Sequence, residues 1–266
     1  NFGQDASFGG TESSATKTDE NGIGAFQYDV PSGFLALCSS NLPNVDISPA
    51  KSTQADDHFN TALKSMSTNS EEAITVGFQP DFVWGKSRNS AYNHQLYDST
   101  RDVTKYLQSN VTSDEQTDAN SLKSFDSNGI TVGSGSTFAP YSNGNNVVFW
   151  NWKANGGTTT TNDASSTGIG TIDSVFQADD TSGFSIVTYT GTGSAGTIRH
   201  GLSVAPSMVI IKNITGGSVP NWVIGQDAYT GFTGQMYFDT GAFSSNSGSF
   251  NNTAPTTSVV SINTDN

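Results

Sequence analysis

Cys38 is the one cysteine in this sequence, so no internal disulfide can brace the chain. Set in Phe34-Leu35-Ala36-Leu37-Cys38, it reads as a small buried hydrophobe. Basic residues are scarce too, 11 Lys+Arg against 24 Asp+Glu, giving a formal charge of −13 and a pI near 4.3. Such a charge repels phosphate backbones and anionic headgroups and excludes nucleic acid and membrane surfaces as partners. Long apolar runs are missing: Val147-Val148-Phe149-Trp150 and Met208-Val209-Ile210-Ile211 are strand-length and cannot span a bilayer. No basic stretch followed by an apolar one marks a secretory leader near Asn1.

Catalytic and metal-binding signatures are also lacking. There is no GxSxG elbow for a nucleophilic serine. His58, His94 and His200 stand far apart without HxxxH or HExxH spacing, so no metal or other cofactor is expected. Asp56-Asp57 and Asp179-Asp180 lack the alternating oxygen ligands and distal Glu of a calcium loop. They read as solvated loop acids just before the first strand of each of two repeats. The sequence offers no catalytic residue, and a non-enzymatic protein is expected.

What is present is Ser, Thr, Asn and Gly. Hydrophobic residues make up 33% and charged residues 13%, a balance that favours turns and solvated strand faces over helices. Disorder is the competing explanation, but 16 Phe, 8 Tyr and 4 Trp are more aromatics than a disordered tract carries. The composition predicts an all-β fold.

The chain also contains a repeat. Gly77-Phe78-Gln79-Pro80-Asp81-Phe82-Val83-Trp84-Gly85-Lys86 aligns through its proline with Val204-Ala205-Pro206-Ser207-Met208-Val209-Ile210-Ile211-Lys212, each a strand entered through a Pro-stiffened turn. Upstream, Phe59–Leu63 corresponds to Phe184–Tyr189. Downstream, His94–Asp98 corresponds to Asn221–Gly225, Lys105–Ser109 to Gln235–Asp239, and Ser121–Asn128 to Ser258–Asp265. In the first copy an Asn128-Gly129 hairpin leads into Ile130–Gly133, and Val147–Trp152 closes the unit. The second copy stops at Asn266, where that hairpin would turn, so the expectation is that further chain or a neighbouring chain completes its sheet.

The predicted organisation is tandem antiparallel β-sandwich-like repeats joined by a Ser/Thr/Gly-rich linker. Residues 51–155 form the first repeat, 183–266 the second, incomplete at its C-terminus, and 156–182 the linker, with room for one short strand. Residues 1–50 form a separate connecting unit in which Gly22–Tyr28 and Gly33–Leu37 read as strands, with Pro43 and Pro49 marking its boundary.

Some motifs imitate chemistry. Gly191-Thr192-Gly193-Ser194-Ala195-Gly196 spells GxGxxG, but the β-branched Thr197-Ile198-Arg199 follows it instead of a helix to hold a pyrophosphate, so it reads as a turn. Gly85-Lys86-Ser87 lacks the earlier glycine of a phosphate loop, with Pro80 standing in its place. The triplets at Asn110, Asn213 and Asn251 fit the glycosylation pattern, as a chain this rich in Asn, Ser and Thr would by composition alone. Trp84, Trp150, Trp152 and Trp222 read as core or inter-copy packing, because rings of that size dominate buried area. Tyr92 and Tyr141, placed in loops and taken as exposed, are the candidate ligand contacts.

The runs Val76–Arg88, Ser124–Gly133 and Ser185–Gly191 resemble repeats of tail-fibre-like and other virion structural proteins of marine and freshwater tailed phages. Asp19–Gly24 and Leu35–Pro43 are similar to the segment preceding those repeats, and Asn1-Phe2-Gly3-Gln4 is similar to the last strand of a SPRY or concanavalin-like domain. The resemblance implies a structural or host-contacting protein of the virion or an extracellular fibre, with partners among its own copies, other fibre proteins or host glycans. The alternative it leaves open is a carbohydrate-binding adhesin.

Overall fold

The computed structural model describes residues 16–38, 41, 53–67, 70–133, 141–216, 221–245 and 248–264. It divides into two compact units, 1–52 and 53–266. The pattern similar to a SPRY strand at Asn1–Gln4, the prolines at 43 and 49 and the final residue Asn266 lie outside the described residues.

In the first unit the chain is turn-rich. Lys17 and Phe26 form an isolated antiparallel bridge, and the expected strands over 22–28 and 33–37 are not formed. Asp19 explains the local shape: its carboxylate accepts from the backbone N–H of Asn21, Ile23 and Ala36 and from the Asn41 amide. Burial alone would raise this carboxyl, but those hydrogen bonds together lower its pKa. Cys38 is half-buried.

The second unit is nearly all β. Its first half comprises β1 (Phe59–Ser65), β2 (Glu72–Thr75), β3 (Phe82–Ser87), β4 (Gln95–Asp98), β5 (Lys105–Tyr106), β6 (Gln116–Thr117), β7 (Leu122–Asp126), β8 (Gly129–Val132) and β9 (Asn146–Trp152). A sheet ordered β1-β9-β3-β4 and a sheet ordered β2-β8-β7 enclose a core that includes Ile74, Val83, Tyr97, Leu122, Ile130, Val147 and Phe149. All pairings are antiparallel, with β9 central: Phe59 and Phe82 both stand opposite Trp152. The Asn128-Gly129 turn links β7 to β8 as its sequence implies, and a Cβ at Gly129 would collide with the Ile74 carbonyl.

The second half comprises β10 (Thr160–Asn162), a one-turn helix α1 (Ala164–Thr167), β11 (Ser174–Asp179), β12 (Phe184–Tyr189), β13 (Gly196–Arg199), β14 (Met208–Ile211), β15 (Val223–Gln226), α2 (Asp227–Thr230), β16 (Gln235–Tyr237), β17 (Phe243–Ser244) and β18 (Val259–Ile262). Sheets ordered β10-β11-β12, β14-β15-β16-β17 and β13-β18 share a core of Ile172, Ile198, Val223, Phe232, Phe250, Val260 and Ile262.

Two expectations change here. Residues 156–182 hold β10, α1 and β11, and β11 pairs along its whole length with β12. Its polar residues are fixed inside the unit: Gln177 donates to Ser99 Oγ and Thr100 Oγ1, and Asp179 is paired with His58. Asp179 is therefore buried, not a solvated loop acid. The second change concerns β18, aligned by sequence with β7, which lies directly against β13 as β8 lies against β2.

Candidate functional site

The tryptophans read from the sequence as core or inter-copy packing lie in an aromatic layer where the first and second halves of this unit meet. On β3 and β9, alternation sends Val83, Val147 and Phe149 into the first core and Phe82, Trp84, Trp150 and Trp152 to the opposite face. Trp152 stacks on Phe184 of β12 at 6.0 Å between centroids, and Trp84 meets Phe238 edge-on at 5.5 Å. Trp222 is buried with Leu96 and Leu107, and its indole N–H donates to the Gln108 carbonyl at 2.8 Å.

Beside this aromatic layer lies a cleft of about 1000 Å³ lined by every residue of β12 and of β14, together with Phe82, Trp84, Trp152 and Trp222. Both strands are sheet edges: β12 pairs only with β11 and β14 only with β15 among the described residues. Neither strand carries a charged residue. Met208 and Ile210 are 57% and 45% exposed, while Val187, Tyr189, Val209 and Ile211 reach the second core only half-buried.

The charges that line the cleft are accounted for. Arg101 donates to Asp98 at 2.6 Å and to Glu115 at 2.8 Å, and Lys212 donates to the Thr112 carbonyl at 3.2 Å. Burial lowers the Lys212 pKa, opposed by Asp114 and Asp239. Burial also lowers His200, against the Thr256 carbonyl it contacts at 3.1 Å, and pushes the Tyr189 phenol up to about 12. What remains to offer a ligand is uncharged: apolar surface, backbone, and hydroxyl and amide side chains such as Ser185, Thr188, Ser207 and Asn213.

The two tyrosines singled out in the sequence are not brought together. Tyr92 is 41% exposed in the loop between β3 and β4 and does not line the cleft. Tyr141 is 1% exposed, stacked on Phe149 at 5.4 Å, and burial raises its phenol pKa. It is a core residue and not a ligand contact, because it fills the space that Gly85 leaves: a Cβ there would stand 2.5 Å from its hydroxyl. Its flanking turn residues gave the appearance of a surface loop.

The other sequence features fall into place as structure. Gly191–Gly196 turns between β12 and β13, and Lys86 donates to the carbonyls of Ser87 and Ser90. Among the described residues no cluster of three His, Cys, Asp or Glu is placed to hold a metal ion, and no helix is long and apolar enough to cross a membrane.

Residues 54–266 match a domain family described as a domain of unknown function, DUF7483. The chain belongs to the DUF7483 family. The match spans both halves and the segment between them, the same stretch that forms the second compact unit. No curated protein and no solved structure matches the chain. The cleft thus lies wholly within the DUF7483 domain. The paired edge strands that line it were not singled out from sequence. Their signal was available in two uncharged runs, Phe184–Tyr189 and Met208–Ile211.

Proposed function

We propose that this chain is a non-enzymatic structural protein of a phage virion appendage or extracellular fibre, acting at the virion or extracellular surface by packing its β-units against copies of itself or neighbouring fibre proteins. The tandem β-sandwich-like repeat read in the sequence is the unit that packs. The observation carrying this reading is the pair of uncharged edge strands, β12 and β14, lining one apolar cleft. Edge strands of monomeric proteins are ordinarily blunted by lysine, proline or a covering element, whereas these expose Met208 and Ile210. The resemblance to virion structural repeats supports the same reading. Electron microscopy of the purified protein is expected to show filaments or regular higher assemblies, and a field of compact monomers at all concentrations would overturn it.

A second reading, a glycan-binding adhesin, is supported by the aromatic rings at the cleft, Phe82, Trp84 and Trp152, which offer flat apolar faces of the kind sugars stack on, and by the exposed loop residue Tyr92. A glycan array decides it: a reproducible hit lost in Trp152→Ala supports it, and a blank array removes it.

A further inference from the structure

We infer that His94 is a proton switch: its neutral ring holds Trp84 in the aromatic layer between the two halves, and protonation of that ring releases the indole. The inference concerns how the two halves are held together and stands apart from what the cleft receives.

The β3–β4 hairpin sets up the pair. Gly85 stands opposite Gln95 and Trp84 opposite Leu96, so alternation places Trp84, Lys86 and Leu96 on one face of the sheet. His94, two residues before Leu96, leans over that face. The Trp84 indole N–H donates to His94 Nδ1 at 2.7 Å, with the two rings edge-on at 5.7 Å between centroids. The segment carrying the imidazole is itself anchored, because the His94 backbone N–H donates to the Asn110 side-chain oxygen at 3.0 Å. Trp84 also meets Trp150 of β9 at 6.1 Å and Phe238 at 5.5 Å, both edge-on. Phe238 follows β16 in the second half, and its backbone N–H donates to the Trp222 carbonyl at 2.9 Å. The one polar atom of an indole that bridges the halves is thus tied to a titratable ring.

The chemistry of the switch follows from that tie. An imidazole nitrogen accepts a hydrogen bond only while it carries no proton, so the neutral ring here is the Nε2–H tautomer. A second proton goes to Nδ1 and sets N–H against N–H. The indole then has no acceptor, and a half-buried donor without one is disfavoured. The groups around the ring do nothing to steady the imidazolium. Lys86 of β3 is the charge that acts on it, and together with burial it lowers the pKa. On the facing loop, Asn93 and Asn110 are uncharged amides joined to each other at 2.8 Å, and among the described residues no carboxylate pairs with His94. The other two histidines are engaged elsewhere, His58 with Asp179 and His200 with the Thr256 carbonyl. Release of Trp84 therefore belongs below the ordinary histidine value of about 6.5.

The test is fluorine NMR of the full chain labelled with fluorotryptophan, the signals assigned by single Trp→Phe variants, over a pH range in which far-ultraviolet circular dichroism stays constant. On acidification the Trp84 signal is expected to shift with one midpoint below about 6.5, and the Trp150 signal to move with it. Amide hydrogen exchange at Phe238, corrected for its intrinsic pH dependence, is expected to quicken about ten-fold at the acidic end. His94→Gln, whose side-chain oxygen accepts the same indole proton without titrating, is expected to leave all three unchanged. The nitrogen shifts of His94 in the unaltered protein test the geometry without any variant, since above the midpoint they must be those of the Nε2–H tautomer. The Nδ1–H tautomer, a Trp84 midpoint at or above the ordinary histidine value, or a shift that persists in His94→Gln would each overturn the switch. A Trp84 shift with Trp150 and Phe238 unmoved would overturn it too, because the indole would then stay in the layer while its neighbour titrates.

Discussion

At the scale of single residues, Asp81 does the most for its size. Fully buried, its carboxylate accepts from the backbone N–H of Ala154, Gly156 and Gly157 at 2.6–2.8 Å and from Ser99 Oγ at 2.7 Å. It thereby pins the exit of β9 to the entry of β3. Asp81→Ala leaves three backbone donors without that acceptor, each worth about 1–3 kcal/mol when buried. The expected loss is about 3 kcal/mol or more, read as a lower urea midpoint. Asp81→Asn keeps one acceptor oxygen and should fall between the two.

His200 gives a pH signature. Its Nδ1 accepts from the Leu202 N–H at 3.2 Å and its Nε2 meets the Thr256 carbonyl at 3.1 Å, a pairing that suits the neutral ring. Burial lowers its pKa, with the Thr256 carbonyl opposing, Arg199 adding to the lowering and Asp180 opposing it. The unfolded chain, with a histidine pKa near 6.5, then binds more protons than the folded one just below that pH. Stability is full above the unfolded value and declines as pH falls through it toward the folded one. Half-buried His94, its pKa also lowered by burial and by Lys86, acts in the same direction. The urea midpoint should drop between pH 7.5 and 5.5, and His200→Gln should flatten part of that slope; an unchanged slope would contradict the assignment.

At the scale of elements, the contact between Trp152 of β9 and Phe184 of β12 is what couples two strands far apart in sequence. Offset aromatic pairs contribute about 0.5–1.5 kcal/mol beyond burial. A double-mutant cycle of Trp152→Ala and Phe184→Ala is expected to show a coupling of that size by denaturant titration, and strict additivity would mean that the halves meet without energetic consequence. Strands of this kind were legible in the sequence because each combines β-branched or aromatic residues with a punctuating Pro or Gly: β3 after Pro80, β14 after Pro206, and β8 after Asn128-Gly129. The segment over 156–182 was not legible. Its Thr, Asn and Asp residues carry the composition of a linker, and only the tertiary partners Ser99, Thr100 and His58 turn Gln177 and Asp179 into buried strand residues. Tyr141 was misread for a related reason, since nothing local to it announces that Gly85, far upstream, leaves a hole for its ring. In the first unit the opposite happened: Gly22–Tyr28 has apolar residues for a strand, but the turn fixed by Asp19 takes the backbone groups that a ladder would need.

At the scale of the whole molecule, two repeats joined by a flexible linker would unfold as two independent transitions, and residues 53–266 are built otherwise. The first half is tied to β11 by the His58–Asp179 pair and by Gln177 on Ser99 and Thr100. It is tied to the β14–β16 region by the Glu115 N–H to the Ile214 carbonyl at 3.1 Å and by the Trp222 indole on Gln108. The shared cluster of Leu96, Leu107 and Trp222 adds apolar area that neither half can bury alone. Residues 53–266 are therefore expected to unfold in one cooperative transition, with tryptophan fluorescence and far-ultraviolet circular dichroism superimposing. Hydrogen exchange gives the sharper test, because it resolves each strand. Asp81→Ala strikes only the first half, yet cooperativity requires that the amides of β15 and β18 in the second half lose protection along with those of β3 and β9. If β15 and β18 exchange as in the unaltered protein, the halves are separate folding units and their interface is a docking contact between them.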